Sequence, residues 1–319
     1  MSSPPRPNIV SVALGRFGIG IALLIEILIF SQLSPYFFTA ENILNVSLQI
    51  SIAAIVAAGM TFVILTAGID LSVGAVIAFS GVVATSLLKT GSPFAVSFLL
   101  ALFAGLAVGA ASGAVAGVCV TRFNITPFIV TLALMTIWRG AAYLYTDGRP
   151  IWELPDQFSI IGSGRLFAVP IPTIVMIVVY ILAYVVLEHT RFGRYVYAVG
   201  GNKEAARLAG VSVNGVLMKV YILCGVLSSL SGILLASRMN SGQPNAGMMY
   251  ELDVIAAVVV GGTSLFGGRG SIVGTFLGAM LIGILRNGLN LMNVSSYVQM
   301  IVVGVVILLA VMLDQFRKR

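Results

Sequence analysis

An all-α polytopic membrane protein of about ten transmembrane helices is the fold class the sequence predicts, on three observations. Hydrophobic residues fill 59% of the 319 positions and charged residues only 9%, with a mean hydropathy of +1.05. An ordinary soluble domain carries about 25% charged residues, so this chain lacks the polar surface to cover a globule and is excluded as a soluble enzyme. Apolar stretches of roughly 20 residues recur from end to end, the length a helix needs to cross hydrocarbon, which makes lipid the solvent for most of the chain. The basic residues, finally, gather on alternate loops.

Apolar length and punctuation by Gly, Pro and charge place spans near 17–34, 43–66, 71–88, 94–120 and 126–146, then near 170–188, 216–237, 253–266, 271–292 and 297–313. They form one transmembrane domain over 17–313, flanked by tails at 1–16 and 314–319. Arg6 and Arg16 precede the first apolar segment with no small-residue cleavage site after it, the pattern of an uncleaved signal anchor. The eighth segment is short and ends in Gly267-Gly268-Arg269-Gly270, which predicts a broken or re-entrant helix shielded by protein or a cavity.

With the N-terminus inside, the inner face receives Arg6, Arg16, Arg122, Arg191, Arg194, Lys203, Arg207, Lys219, Arg269, Arg317, Lys318 and Arg319. The outer face receives Lys89, Arg149, Arg165 and Arg238, while Arg139 and Arg286 lie within spans. This asymmetry predicts both termini in the cytoplasm and explains the net charge of +7 without nucleic acid. Two loops are long enough to act. The external one, 147–170, holds Trp152, Pro155 and Phe158 and reads as a partly ordered cap; the internal one, 190–215, is strongly basic.

Enzyme chemistry is missing from the sequence. None of the four lysines follows a glycine, so there is no phosphate-binding GxxxxGK[ST] loop, and there is no GxSxG elbow. His189, the single histidine, sits at a helix end, and Cys119 and Cys224 lie in apolar runs without CxxC spacing, as small buried residues do. No catalytic residue, metal site or cofactor bound by this chain is expected.

Packing and polarity are more informative. Gly105, Gly109, Gly113 and Gly117 make a four-residue ladder on one helical face, serving packing within the subunit or a dimer surface, and Gly274 with Gly278 repeats the spacing once. In Thr66-Ala67-Gly68-Ile69-Asp70-Leu71-Ser72, Gly68 loosens the helix and Asp70 and Ser72 can cap the next one, so that the site is either a structural cap or a conformational pivot. Arg286 and Asn290 share a helix face with Asn287 nearby, and Asn293 and Gln299 follow. Such a face turned to lipid is penalised, leaving an interhelical hydrogen-bond network or a path for neutral polyols. Arg139 is expected to snorkel or pair.

Gly59-Met60-Thr61, Thr66 to Gly74, Arg191-Phe192-Gly193-Arg194, the run from Gly200 to Gly210, Ser241-Gly242-Gln243-Pro244, Tyr250 to Ala257, Gly261 to Leu265 and Asn287-Gly288-Leu289-Asn290 occur in one order. Together they resemble the permease subunits of ribose-type ABC sugar importers, the branched-chain amino acid/ribose permease family, over nearly the whole chain. The resemblance implies a vitamin B12-importer-like arrangement, a homodimer with the sugar path at its interface, a cytoplasmic ATPase subunit that uses ATP and Mg, and a periplasmic sugar-binding protein. It also implies that Glu204, Ala205 and Ala206 with Gly210 form the coupling segment docked on that ATPase. Gly68, Asp70, Gly267 and Gly268 are then candidate pivots, and Arg286, Asn287 and Asn290 candidate pathway residues. Arg149 and Arg238, beside the outer loops, are candidate docking charges for the binding protein or solvated arginines. Ribose fits the overall pattern best, although arabinose, xylose, galactofuranose, inositol and autoinducer-2 permeases share these motifs. Other classes open to such a chain are an ion-coupled secondary transporter, with Glu26 as its mid-span acid, and a membrane enzyme or passive channel.

Overall fold

The structure is a computed structural model that describes residues 9–318, with side chains described over 18–312. The side chains of Arg6, Arg16, Arg317, Lys318 and Arg319, and with them the expected terminal tails, lie outside the described residues. The helices are α1 (Ile9–Leu33), α2 (Ala40–Leu65), α3 (Val73–Leu88), α4 (Phe94–Arg122), α5 (Pro127–Thr146), α6 (Asp156–Ser163), α7 (Ile171–His189), α8 (Arg191–Gly201), α9 (Lys203–Leu208), α10 (Val213–Arg238), α11 (Tyr250–Val260), α12 (Ile272–Leu291) and α13 (Ser296–Lys318). A two-residue hairpin, β1 (Arg165–Leu166) with β2 (Val169–Pro170), pairs antiparallel between α6 and α7.

Helices lie on all ten apolar segments of the sequence, but among the described residues only α2, α4, α5, α7, α10 and α12 are long and apolar enough to cross a membrane. The apolar stretches Gly18–Leu33, Val73–Leu88 and Ser296–Met312 are shorter. At 11 residues, α11 rises about 16 Å, half of a hydrocarbon core.

The centre of the bundle is α2, in which every residue from 54 to 65 is buried. A helix that is apolar on all sides needs neighbours on all sides, and α2 has α7, α10, α11 and α12 around it. The polar atoms it carries are met across helices. Ser231 Oγ donates to the Ile52 carbonyl at 3.0 Å, the Thr61 and Thr275 hydroxyls lie 2.7 Å apart, and Asn42 and Asn287 exchange two amide bonds of 2.9 and 3.1 Å.

The glycine ladder of α4 serves packing within the chain. A Cβ on Gly109 would fall on the Gly225 carbonyl, one on Gly113 would lie 2.6 Å from Ile222 Cα, and one on Gly117 would lie 2.6 Å from Met218 Sδ, all on α10. Gly274 and Gly278 likewise let α12 lie against Gly261 and Ala257 at the end of α11. Cys224 fills a similar place, since a Cβ on Gly59 would reach its Cα at 2.9 Å.

The bundle has two ends. One carries α8 and α9. The other carries α6 and the hairpin, where Phe158 is fully buried, the Phe158 carbonyl accepts from the Ser237 hydroxyl, and Ile151 bridges Gly242. The segment 147–170 is thus ordered, with α6 packed on the end of α10.

The ladder yields a stability test. Gly109→Val should cost about 1–3 kcal/mol through overpacking and lower the apparent melting temperature in detergent. Gly140→Val, with open space around its Cβ, should match the parent. Equal melting of the two variants would contradict this packing of α4 on α10.

Candidate functional site

Two chain breaks, a pair of surface helices and one polar cavity hold nearly all of the residues singled out in the sequence. The surface helices come first. Thr190 caps α8 by accepting from Gly193 N at 3.3 Å, and Phe192 stacks on Phe62 of α2 with ring centroids 6.3 Å apart. Tyr197 donates to the Gly270 carbonyl at 2.9 Å, with Glu188 Oε1 at 3.1 Å sharing the proton. Burial, and then the Glu188 carboxylate, push this phenol well above its ordinary range, so it stays a donor.

The short rod α9 follows at once. Asn202 Oδ1 accepts from Glu204 N and Ala205 N, both at 3.0 Å, as the sequence anticipates. At the other end Gly210, with φ +81°, donates to Arg207 O, and Val211 N donates to Ala206 O, both at 3.0 Å, a left-handed stop for which glycine is suited. Ala206 anchors the rod as its buried residue. Glu204 and Arg207 pair at 2.7 Å in solvent, an interaction of small energetic weight. Leu208 is 80% exposed, an apolar side chain left without cover.

Beneath this rod three backbones meet. Gly268 N donates to the Leu65 carbonyl at 2.9 Å, tying the α11–α12 turn to the last residue of α2. Gly200, near the end of α8, lies against both, so that a Cβ there would fall on Leu65 O and come within 2.6 Å of Gly268 N. Gly267 and Gly268 have φ of +83° and +72°, and each would bring a Cβ within 2.9 Å of neighbouring backbone, Ala67 N and Gly200 O for the first and Gly201 for the second. The sequence lists the candidate coupling and pivot residues in separate segments; the fold joins Gly267 and Gly268 to the end of α8 and to the end of α2.

The first chain break follows α2. Its left-handed residue is Ala67, φ +58°, rather than Gly68, and the turn closes by Ala67 N to Ile64 O and Gly68 N to Val63 O. Gly68 is required for a different reason, since a Cβ there would lie 2.5 Å from the Tyr221 hydroxyl. Asp70 is 2% exposed, and its Oδ1 accepts from Ser72 N at 2.9 Å and Ser72 Oγ at 2.6 Å. Ser72 therefore spends its hydroxyl on Asp70 and makes no side-chain cap to α3, contrary to the expected role.

The second break, before α11, meets the first. A Cβ on Gly74 would fall on the Gly247 carbonyl and Glu251 Oε2. Arg139 holds this segment in place by donating from Nη1 to the Pro244 and Ala246 carbonyls at 2.8 and 2.7 Å, so it binds backbone instead of snorkelling.

A polar cavity of about 350 Å³ opens between α2, α10, α11, α12 and α13. Arg286 and Asn290 line it, and Arg286 Nη2 donates to Asp253 Oδ1 at 2.6 Å. Asn287 does not line it, being committed to Asn42. Arg238 is half-buried on the cavity wall, whereas Arg149 is exposed. Sequence reasoning missed Asp253, although an acid at the start of an apolar run opposite a lone span arginine is a readable pairing signal. Glu26 is correspondingly not alone, since Asp70, Glu251 and Asp253 are also buried or half-buried. Among the described residues no three His, Cys, Asp or Glu side chains converge as metal ligands.

A family model described as branched-chain amino acid transport system / permease component matches residues 42–311. The ribose import permease protein of Escherichia coli K12 is 53% identical over 298 residues, 92% of each chain. The ribose import permease protein of Bacillus subtilis 168 is 47% identical over 94% of this chain and 92% of its own length. The D-allose transport system permease protein of E. coli K12 is 36% identical over 98% and 96%. No solved structure matches.

The Arg286 and Asp253 pair carries a further test. Arg286→Met should destabilise the protein in detergent by about 3 kcal/mol, the low end for a broken buried pair because a third of the Arg286 side chain is exposed. Adding Asp253→Asn should recover most of that loss. A double variant no more stable than Arg286→Met would show that the two side chains are not coupled.

Proposed function

Because the chain belongs to the branched-chain amino acid transport system / permease component family, we propose that it is the membrane-spanning permease subunit of an ATP-driven ribose importer. The observation that carries this reading is 53% identity to a ribose import permease over 92% of both chains. The lower identity of the allose permease, 36%, favours ribose among sugars. The chain is a multi-pass protein of the bacterial inner membrane, a transporter subunit rather than an enzyme.

In this reading the ten apolar segments are membrane segments, α11 reaching only part of the way, and both termini face the cytoplasm together with α8 and α9. Two copies assemble with an ATPase subunit, which supplies the ATP and Mg chemistry, and a periplasmic binding protein delivers the sugar to the α6 end. The exposed Leu208 and the Glu204–Arg207 turn of α9 support docking of the ATPase there. Closure of the ATPase pushes α9. The push passes through Gly200 and Gly201 to the end of α2 and to Gly267 and Gly268, and from there to the breaks at Gly68–Asp70 and before α11. Sugar then crosses between two copies, with no bond to it made or broken. Arg149, exposed beside the cap, is the docking charge for the binding protein, whereas Arg238 belongs to the cavity wall.

Proteoliposomes holding this chain, its ATPase subunit and its binding protein should take up labelled ribose only when all three and ATP are present. Leu208→Asp should lower co-purification of the ATPase at least about tenfold, the cost of placing one charge in an apolar contact. Arg149→Glu should weaken stimulation of ATP hydrolysis by loaded binding protein. Ribose uptake driven by an ion gradient without the ATPase would overturn the proposal.

A further inference from the structure

The cavity between α2, α10, α11, α12 and α13 has the chemistry of a binding site. Its volume of about 350 Å³ lies at the small end of the roughly 300–1,000 Å³ usual for small-molecule sites. The wall alternates apolar residues with Gln49, Tyr250, Asp253, Arg286, Asn290 and Gln299. Each of the three amides and the phenol both donates and accepts hydrogen bonds, as every hydroxyl of a sugar does.

The internal bonding of the wall leaves that capacity open. Gln299 Nε2 donates to Asn290 Oδ1 at 2.7 Å and to the Val294 carbonyl at 3.0 Å, which occupies one side of each amide and turns the Asn290 Nδ2 and Gln299 Oε1 sides free. Arg286 is fixed by Asp253 through Nη2, yet its Nε is buried with no partner. The ion pair also settles the charge of the ligand. Asp253 neutralises Arg286, so the deep wall presents dipoles, and the remaining cation, Arg238, is half-exposed at the end of α10.

We infer that each subunit carries its own transit site for a neutral monosaccharide in this cavity, with Arg286, Asn290, Gln49 and Gln299 as its hydrogen-bonding groups and Tyr250 as an apolar and phenolic face. The inference rests on the importer reading and adds a way station inside the single chain. The Arg286–Asp253 pair also ties the start of α11 to the far part of α12, and the other ends of both helices meet the loop that holds Gly267 and Gly268. Movement of that loop pulls on the pair and so changes the grip on the sugar.

The test uses the complete importer in proteoliposomes. Gln49→Leu and Asn290→Leu should each lower the ribose imported per ATP hydrolysed by about tenfold, the effect of one lost hydrogen bond to the ligand. In a second measurement, with Cys119 and Cys224 replaced, Asn290→Cys should react with a polar thiol reagent, and ribose should slow that reaction severalfold while sucrose does not. Wild-type sugar per ATP in both leucine variants, or a labelling rate indifferent to ribose, would overturn the transit site while leaving the importer intact. Stronger protection by ribose 5-phosphate than by ribose would overturn the neutral ligand. Failure of the unmodified complex to import ribose would instead bring down the importer reading itself.

Discussion

Backbone approaching backbone without side chains between is the contact on which this structure depends. In lipid an apolar side chain gains little by leaving its surroundings, so helices hold together through close packing and shared polar groups. The chain supplies both. Glycine lets α4 lie directly on α10, and the same economy at Gly200, Gly267 and Gly268 brings α8, the α11–α12 turn and the end of α2 into one knot beneath α9. Backbone groups left open by the chain breaks find partners inside the protein, Gly268 N on Leu65 O in the knot and the Pro244 and Ala246 carbonyls on Arg139 before α11.

The geometry also ranks the polar residues by task. Asn287 and Thr61 tie helices together, Asp70 organises the first break through Ser72, and Arg286 and Asn290 face open volume. A polar residue within a span thus divides into those whose hydrogen bonds close within the protein and those left with spare capacity. Spare capacity next to a cavity is the mark of a site; a closed bond is the mark of a strut.

Much of the fold was legible in the sequence because lipid imposes length and polarity rules that act locally. The ten apolar segments, the shortness of the eighth, the Asn202 cap and Gly210 stop of α9 and the order over 147–170 all follow from such rules. What was not legible depends on which neighbour a residue meets. Gly68 reads as a loosening element, yet the strained residue is Ala67, and Gly68 is fixed by the Tyr221 hydroxyl some 150 positions on. Ser72 reads as a cap until Asp70 takes its hydroxyl. Arg238 reads as a surface charge because it ends a span, but the α10 end is covered by α6 and the arginine turns to the cavity. Asn287 is indistinguishable in sequence from Asn290, and only the position of Asn42 separates a strut from a cavity residue.

The central claim is that the glycine knot carries motion from α9 to the membrane breaks. Gly200→Ala tests it most directly, because one methyl group there would force the ends of α8 and α2 apart while leaving α9 and its exposed face unaltered. In the reconstituted importer the variant should still assemble with the ATPase and hydrolyse ATP, but the ribose imported per ATP should fall at least about tenfold, the loss expected when a close contact is displaced by an ångström. A Gly200→Ala importer that moves as much sugar per ATP as the parent would contradict the account.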